Sequence, residues 1–580
     1  MNPHGSNPDA GDETPIEFPQ ANIAAMRVIA TTLGSTLGPF PRDKLLVAEQ
    51  ADDSDTTPGT RTSGDVAVAS DGATILERLP IEHPIGPILR RMVGPERAGA
   101  TGVEGEAMPD GITTRATLAG ALLKDAETLL DQGLHPQTII AGYEFARDVA
   151  TEHLSEVAIV FEETADPEQA RLATARTVMT GNVAGANSDT WAKLAVEAVD
   201  VVGDPNENTF DVRRTPDGSI DDTRFVRGAI LDRTSRVSDE MPRQVDDASV
   251  LVLDGHDRGG LQDRDPQHDV SLTVDTPQDV RGFTEAEADH KAAVVESFVN
   301  AGVDVVVTRL GIDGEYRRLL ADAGIVGIRS VVPLDLTRLA KATGAHPVLD
   351  PTDVTADELG RAGTVTEVSV GAHPTRQSQR DVVIFDECPS PESVSVLLRG
   401  VSGQVADQAA MAVRKAAFAV GLADGRTRSP AGVVPGGGAV HLQTAEAVTD
   451  ATGGVADRRH LALEAYADSL ERVVATLVRN GGLDPLDIVP EIRATQHAGI
   501  ETAGIVFPEG EVADCLEAGI LDPVATVHDA YQYATAVAIL LLRIDDAIDS
   551  VTTQEPTTDT DDVIYDEPAE RQRETLEDRD

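Results

Sequence analysis

The chain has 580 residues, of which 41% are hydrophobic, and its formal net charge is −51. Since an ordinary domain has about 100–150 residues, we expect two or more hydrophobic cores. The negative charge excludes nucleic acid as a partner, because phosphates would be repelled rather than neutralised.

Lysine occurs at only six positions, so arginine supplies almost all of the basic side chains. Excess acid with so little lysine indicates a protein from a salt-loaded cytoplasm, where carboxylates keep the surface hydrated and salt screens their repulsion. The alternative is an acidic surface for one basic partner, but the acids are spread along the chain rather than blocked.

Cysteine usage and apolar run length exclude further classes of protein. Cys388 and Cys515 lie far apart, and neither a CxxC nor an HExxH motif occurs, so we expect no disulfide framework and no structural zinc. The longest apolar run, Ala536–Leu542, falls far short of the ~18 residues that span a bilayer. We predict a cytoplasmic protein without a membrane partner.

In chain order, the first elements follow an acidic N-terminus. Residues 1–13, like residues 551–580, carry charge with almost nothing apolar to bury, so we predict that both ends are disordered. Apolar residues recur at helical spacing between Phe18 and Leu37, which predicts a helix. Val66–Ala69 predicts a strand ending in a turn at Asp71-Gly72, and a second helical pattern runs from Asp110-Gly111 to Gly133.

The middle of the chain has the pattern of an α/β module. Strand-like apolar runs occur at 249–253, 303–308 and 325–332, with helix-like segments at Glu285–Val299 and Glu315–Ala323 between them.

The last third returns to long helical patterns, at Val405–Leu422, Leu461–Val478 and Val527–Leu542. Because the helical character of the first third reappears after the α/β module, we predict that the two ends of the chain form one domain.

Ten segments of the chain together match one known protein family, in the order in which they occur there. The segments are NIAAMRVIATTLGSTLGPFPRDKLLV at Asn22–Val47, SGDVAVASDGATIL at Ser63–Leu76, IEHPIGPIL at Ile81–Leu89, LLDQGLHPQTIIAGYEFA at Leu129–Ala146, LAKATGAHPV at Leu339–Val348, VLLRG at Val396–Gly400, PGGGA at Pro435–Ala439, NGGLDPLDIV at Asn480–Val489, AGILDPVATV at Ala518–Val527 and LLLRIDDAI at Leu540–Ile548. The ordered set covers about residues 18–548 and resembles group II chaperonins, the family of the archaeal thermosome and the eukaryotic cytosolic chaperonin. By this resemblance the chain is identified as a divergent member of that family, of a haloarchaeal type.

The resemblance implies an α/β multidomain chaperonin fold. Residues 14–148 and 405–550 would form a helical equatorial domain that binds ATP. Residues 149–215 and 372–404 would form a hinge-like intermediate domain, and residues 216–371 an α/β apical domain that binds substrate and carries a lid protrusion.

The resemblance also implies partners. Unfolded or partly folded proteins would be clients, and copies of this chain or paralogous subunits would assemble into a double ring. The expected protrusion, Gly255–Phe283, is polar and has few apolar side chains to hold a client. This polarity indicates either a surface adapted to salt or an altered choice of client.

The resemblance implies an ATP site on glycine turns, where backbone N–H groups approach phosphate because no Cβ intervenes. Gly38-Pro39 would begin the phosphate-facing loop, and Asp71-Gly72 would place a carboxylate near the γ-phosphate and its water. Gly436-Gly437-Gly438 would pass under the nucleotide, and Asp522 would contact the ribose.

The family's Gly-Asp-Gly-Thr-Thr motif survives only in part, as Pro109-Asp110-Gly111-Ile112-Thr113-Thr114. Asp110 remains a suitable oxygen ligand for Mg²⁺, while Gly111, Thr113 and Thr114 keep their phosphate-binding groups. Pro109 has no N–H to donate, however, and Ile112 replaces a hydroxyl by an apolar branch.

The largest departure from the family lies in the helix after Val396–Gly400. The family has an Asp there and, eight residues later, a second Asp that accepts a proton from the attacking water. Asp407 matches the first, but Lys415 stands at the second, and no Asp or Glu occurs between Asp407 and Asp424. Because an ammonium only donates hydrogen bonds, Lys415 cannot act as the base, although it could pair with phosphate.

Three hypotheses follow. In the first, a chaperonin subunit binds ATP but hydrolyses it poorly; Asn182, where the family has a lysine that senses the γ-phosphate, supports this. In the second, a rebuilt site hydrolyses ATP normally. In the third, a structural or binding protein kept the fold and lost the nucleotide cycle.

Overall fold

The computed structural model describes residues 18–47, 66–69, 71–79, 81, 86, 111–181, 188–232, 236–255, 261, 277–372, 379–400, 403–426 and 430–544. Both predicted disordered ends lie outside these residues, as does most of the predicted protrusion. The described elements form three regions, each with a large hydrophobic core.

The helices and strands alternate irregularly along the chain. The described α-helices are α1 (Phe18–Gly34), α2 (Gly72–Arg78), α3 (Ile112–Asp131), α4 (Pro136–Val157), α5 (Pro167–Met179), α6 (Ser188–Val202), α7 (Pro277–Ala301), α8 (Gly314–Asp322), α9 (Pro333–Thr343), α10 (Gly403–Ala423), α11 (Ala439–Ala451), α12 (Arg459–Asn480), α13 (Pro485–His497) and α14 (Val524–Arg543). The described strands are β1 (Lys44–Val47), β2 (Val66–Ala69), β3 (Phe210–Thr215), β4 (Arg224–Val226), β5 (Ala229–Asp232), β6 (Gln244–Leu253), β7 (Val305–Thr308), β8 (Val326–Ile328), β9 (Gly360–Ala372), β10 (Gln379–Asp386), β11 (Val394–Arg399), β12 (Val433–Pro435), β13 (Ala503–Val506), β14 (Glu511–Asp514) and β15 (Leu521–Pro523).

The first region is a helical body that draws on both ends of the chain. α3 lies at its centre and packs against α1, α12 and α14. Its residues Leu118, Leu122 and Leu129 follow the spacing of one helix face, and all three are buried. One continuous core therefore joins residues 23–154 to residues 434–542.

The second region packs α5, α6 and α10 on a three-stranded sheet of order β3-β11-β4. β3 and β11 run parallel, with Phe210 opposite Val394. Because the chain leaves this sheet after β4 and returns to it at β11, the third region is inserted between these two strands.

The third region is a mixed six-stranded sheet of order β5-β10-β9-β6-β7-β8, with α7, α8 and α9 packed against its core. β6, β7 and β8 are parallel, with Val250 opposite Val305 and Val305 opposite Val326. Parallel strands are covered on both faces, which explains why these segments are nearly continuous apolar runs.

A cluster of charged side chains, the junction cluster, joins the second and third regions. Asp211 on β3 contacts Arg213 on the same strand, Arg338 on α9 at 3.2 Å and Arg414 on α10 at 3.1 Å. Asp335 on α9 contacts Arg213, and Arg338 at 3.2 Å. The two carboxylates are only 3% and 5% exposed, so three elements meet on buried ion pairs.

The two carboxyls of the junction cluster differ in their pKa. Burial raises the pKa of Asp211, but Arg213, Arg338 and Arg414 outweigh that effect and hold the pKa below its usual value. Burial raises the pKa of Asp335 as well, and there the neighbouring guanidinium groups do not compensate, so the pKa lies above its usual value. Asp211 is therefore stabilised as a carboxylate by its surroundings, whereas Asp335 is not.

The α/β multidomain fold class predicted from the sequence is confirmed. Two local predictions are wrong. Asp71-Gly72, predicted as a turn, begins α2, because the Asp71 carboxylate accepts a hydrogen bond from the backbone N–H of Thr74. The strand predicted at 325–332 is confined to β8, because Pro333 occupies the first turn of α9 and Val332 is already its cap.

The domain bounds given above stay a prediction. β10, which lies beyond residue 371, pairs with β5 and β9 of the third region. None of the described helices combines the length and the apolar character needed to cross a membrane.

Candidate functional site

A cavity of about 460 Å³ is lined by residues of both the helical body and the second region. This volume lies within the range of about 300–1,000 Å³ that is typical of small-molecule sites. Four of the described helices, α2, α3, α11 and α14, begin at its wall. Since helix N-termini present unpaired N–H groups and a partial positive charge, this wall is suited to an anion.

The loop after α1 forms one side of the cavity. Gly38 has φ +94°, a backbone conformation that favours glycine, and a Cβ at this position would lie 2.5 Å from Leu477 Cδ1, so the Leu477 side chain would have to move for any larger residue. The side-chain amide of Asn480 donates to the backbone carbonyls of Gly34 and Leu37, both at 2.8 Å. These bonds hold the loop, and Pro39 with it, against the cavity.

The start of α3 forms the adjoining wall. Gly111 is the cap residue of this helix, and Thr113 and Thr114 in its first turn line the cavity. The hydroxyl oxygens of Thr113 and Thr36 are 3.3 Å apart, although the two residues belong to different helix ends. Gly72 lies against the Thr113 side chain, so the loop after α1 and the starts of α2 and α3 converge.

The glycine turn before α11 forms the floor of the cavity. Gly437 has φ +59°, and a Cβ here would lie 2.5 Å from the Ile505 carbonyl oxygen, so a larger residue would displace β13. β12 pairs with β15, which places Val434 opposite Asp522 and brings the Asp522 carboxylate to the cavity.

Lys415 and Asp71 form an ion pair in the cavity wall. The Lys415 ammonium donates to Asp71 Oδ1, and Thr74 donates to Asp71 Oδ2 from its backbone N–H and its hydroxyl, both at 2.9 Å. Burial raises the pKa of Asp71, but the charge and hydrogen bond of Lys415, together with the Thr74 bonds, hold it below its usual value. Both carboxylate oxygens thus accept hydrogen bonds, and the group is a weak base.

An apolar wall and a neutral histidine complete the cavity. Val474, Leu477 and Ile505 belong to one hydrophobic cluster and line this wall. His441, in the first turn of α11, also lines the cavity, and its Nδ1 lies 2.7 Å from the hydroxyl oxygen of Tyr531. Burial lowers the pKa of His441 to about 4, so the ring is uncharged at neutral pH.

The described residues fit a ligand that carries both phosphate and an apolar group. Glycine turns and helix starts suit phosphate, a threonine hydroxyl pair and Asp522 supply polar contacts, and the apolar wall suits a base. A nucleotide has this combination of parts.

Most of the candidate site residues that the sequence suggested lie together. Those that line the cavity are Gly38, Pro39, Asp71, Gly72, Gly111, Thr113, Thr114, Lys415, Gly437, Gly438 and Asp522. Gly436 does not line it but lies behind the wall, where a Cβ would be 3.0 Å from Asp522 Oδ2. Asp110, the candidate magnesium ligand, lies outside the described residues with Pro109 and Asn182.

Asp407 is not among the cavity-lining residues. Its side chain is exposed and pairs with Arg214 on β3. The carboxylate that matches the family's first Asp is therefore paired with Arg214 instead of lining the cavity.

Sequence reasoning missed several residues of the site. Thr36 and Asn480 lie within segments that resembled the family and could have been found there. Arg176 lines the cavity and pairs with Asp189 at 2.7 Å, a contact between α5 and α6 that no spacing predicts. His441 gave no signal other than its position just after the glycine turn.

Comparison with known proteins agrees with these features. A model of the TCP-1/cpn60 chaperonin family matches residues 29–552. The chain is 35% identical over 539 residues to a thermosome subunit of Methanopyrus kandleri, and 34% identical over 536 residues to the thermosome subunit beta of Archaeoglobus fulgidus, with 91% of each chain covered in both cases. It is 33% identical over 532 residues to the thermosome subunit alpha of Halobacterium salinarum, covering 91% of this chain and 87% of that one. The chaperonin fold that the sequence predicted is thereby confirmed, and the chain belongs to the TCP-1/cpn60 chaperonin family, as a group II chaperonin subunit.

Proposed function

We propose that this chaperonin subunit binds Mg·ATP in the cavity, hydrolyses it slowly, and assists protein folding as part of a double ring. The observation that carries the slow hydrolysis is the ion pair between Lys415 and Asp71. The partners are unfolded or partly folded client proteins and further subunits, either copies of this chain or paralogues, in the cytoplasm.

Binding is supported by the residues that meet at the cavity. Backbone N–H groups at Gly38, Gly111 and Gly437-Gly438 would bind phosphate together with the Thr113 and Thr114 hydroxyls, and Asp522 would bind the ribose. Asp110 would hold Mg²⁺, which is usually bound by one or two carboxylates together with substrate phosphates. In the complex, Mg·ATP supplies the reactive phosphate and the neutralisation of its charge.

Slow hydrolysis follows from two effects of Lys415. A general base needs a free lone pair and a pKa near the working pH. An ammonium has no lone pair, so Lys415 cannot take a proton from water. It also occupies Asp71 Oδ1 and lowers the pKa of Asp71, so the nearest carboxylate in the wall is a poor replacement base.

The domain roles follow the predicted bounds. We assign nucleotide binding and ring contacts to residues 14–148 and 405–550, the hinge to residues 149–215 and 372–404, and client binding to residues 216–371. The core shared by residues 23–154 and 434–542 supports the first assignment, because it unites the two predicted halves of the equatorial domain.

The test uses the full chain, alone and with co-expressed paralogues, in molar KCl with Mg²⁺. ATP affinity is measured by calorimetry, phosphate release by a steady-state assay, and ring size by light scattering. We expect wild-type protein to bind ATP and to release phosphate roughly 10²–10⁴-fold more slowly than a relative with Asp at the position of Lys415.

Two substitutions separate the effects of Lys415. Lys415→Met removes the charge and frees Asp71, whereas Lys415→Asp also supplies a carboxylate, so we expect phosphate release to rise in the order wild type, Lys415→Met, Lys415→Asp. Lys124→Met, on an exposed position of α3, is the matched control and should leave the rate unchanged.

Three results would contradict the proposal. Rapid turnover by the wild type, undiminished in Lys415→Met, would favour a rebuilt active site. Absence of ATP binding would favour a structural or binding protein without a nucleotide cycle. Only monomers in molar salt, even with paralogues present, would exclude the ring.

A further inference from the structure

His441 is a neutral ring at the cavity whose two nitrogen atoms have different surroundings. Nδ1 lies 2.7 Å from the Tyr531 hydroxyl oxygen, inside the protein. Nε2 makes no hydrogen bond to any described residue. It is not a fully buried atom either, and His441 lines the cavity, so Nε2 is exposed at the cavity surface. What Nε2 presents to a ligand depends on which nitrogen carries the single proton of the neutral ring.

The hydrogen-bond chain behind His441 assigns that proton. The Thr444 hydroxyl donates its only hydrogen to the Val440 carbonyl at 2.7 Å. Towards Tyr531, 3.5 Å away, Thr444 can therefore only accept, and the Tyr531 hydroxyl donates to it. The Tyr531 oxygen is then left to accept from His441, so the proton is on Nδ1 and Nε2 presents a lone pair to the cavity.

The alternative tautomer makes fewer hydrogen bonds. If Tyr531 donated to Nδ1, its oxygen and the Thr444 oxygen would face each other as two acceptors, and one hydrogen bond of this buried chain would be lost. Both hydroxyl groups donate in either tautomer, but the tautomer with the proton on Nδ1 makes one hydrogen bond more, so the chain favours it.

An acceptor beside an apolar wall suits one edge of a purine. Adenine has a 6-amino group that donates, whereas guanine and hypoxanthine have a 6-oxo group that accepts. The apolar wall formed by Val474, Leu477 and Ile505 belongs to the same cavity as His441. Resting on the proposed function of ATP binding, we infer that His441 Nε2 accepts a hydrogen bond from the 6-amino group of adenine and makes the site reject 6-oxo purine nucleotides.

Tyr531 is the positioning residue of this arrangement. Its hydroxyl fixes both the orientation of the imidazole and the nitrogen that carries the proton, because it can donate to Thr444 only while it accepts from Nδ1. Without this hydroxyl, either tautomer of His441 is accessible, and Nε2 can accept from a 6-amino group or donate to a 6-oxo group.

The experiment compares ATP with inosine triphosphate, which has a 6-oxo group and lacks the 2-amino group of guanine. Dissociation constants are measured by calorimetry on the full chain in molar KCl with Mg²⁺. We expect wild-type protein to bind ATP roughly 10- to 100-fold more tightly, as for the loss of one hydrogen bond that leaves buried polar groups unpaired.

Two variants test the assigned roles. His441→Phe keeps a ring of similar shape and removes both nitrogens, and Tyr531→Phe removes only the hydroxyl; both should reduce the ratio of the two dissociation constants towards one while ATP still binds. His460→Phe is the matched control on a partly exposed histidine at the start of α12, which does not line the cavity, and it should keep the wild-type ratio. A thermal melt of each variant separates loss of selectivity from loss of folding.

The outcomes of this experiment are distinct. A wild-type ratio near one, a preference for inosine triphosphate, or a preference for ATP that survives in His441→Phe would overturn the role of His441 while leaving ATP binding intact. A preference for ATP that is lost in His441→Phe but survives in Tyr531→Phe would overturn the positioning role of Tyr531. Failure of every nucleotide to bind the wild type would overturn the proposed function and this inference with it.

Discussion

Asparagine substitutions at the two carboxylates of the junction cluster should lower the free energy of unfolding by different amounts, although both change a buried Asp to the same isosteric amide. Asp211→Asn removes the charge that three guanidinium groups share and leaves Arg213, Arg338 and Arg414 less compensated. Breaking a buried ion pair in this way typically costs about 3–5 kcal/mol. Asp335→Asn should cost about 1 kcal/mol or less, because the raised pKa shows that its surroundings do not favour the charged form over the neutral one.

The sole tryptophan, Trp191, reports this difference. It is buried in α6 within the core of the second region, so its fluorescence follows the unfolding of the region that contains β3. Urea unfolding of the full chain at constant molar KCl should show a lower midpoint for Asp211→Asn than for Asp335→Asn. The urea midpoint and the slope of the unfolding free energy against urea concentration are compared together, because a chain with several regions need not unfold in two states.

The pH dependence has a definite sign. The folded pKa of Asp211 lies below its unfolded value of about 3.9, so its stabilisation is present above that value and is lost as the pH falls through the folded pKa. The difference in urea midpoint between the wild type and Asp211→Asn should therefore become smaller below about pH 4. Equal midpoints for the two variants at neutral pH, or a larger cost for Asp335→Asn, would refute this account of the cluster.

Two further predictions concern the cavity floor and the surface charge. Gly437→Ala should weaken ATP binding at least about tenfold, because the φ of this residue is +59° and the added Cβ would meet the Ile505 carbonyl oxygen. Gly453→Ala is the control, because a Cβ there meets nothing within 4 Å, and it should bind ATP as the wild type does. Equal ATP affinities of the two variants by calorimetry would show that the turn at Gly437 does not shape the site. Lowering the KCl concentration from molar to about 50 mM should lower the melting temperature or release subunits from the ring, because the net charge of −51 is then less screened. A melting curve and a light-scattering signal that both stay unchanged would exclude adaptation to salt.

Long periodic segments were predictable because their pattern carries the fold. The helices predicted from apolar spacing at Val405–Leu422, Leu461–Val478 and Val527–Leu542 occur as α10, α12 and α14, and the predicted strand Val66–Ala69 is β2. Most apolar residues of these three helices are buried in the cores, so local spacing and tertiary packing agree there. Short elements such as α2 were mispredicted because one side-chain cap, that of Asp71, decides their conformation.

The cavity was predictable in its residues but not in its contacts. Glycine turns and the lysine substitution could be located along the chain by resemblance to a family. That Lys415 would pair with Asp71 could not, because the two residues are 344 positions apart and only the packing of α10 against the helical body brings them together. The tautomer of His441 likewise depends on Tyr531 and Thr444, from two different helices.

Consecutive residues of α10 belong to different contacts: Arg414 contacts Asp211 of the junction cluster, and Lys415 contacts Asp71 in the cavity wall. Because the helix backbone fixes the relative positions of neighbouring Cα atoms, a movement of α10 shifts the points from which both side chains reach their partners. A ligand that prefers one position of this helix must therefore change the free energy of both ion pairs. A substitution in the junction cluster that alters the preferred position of α10 would accordingly change the affinity of the cavity for such a ligand.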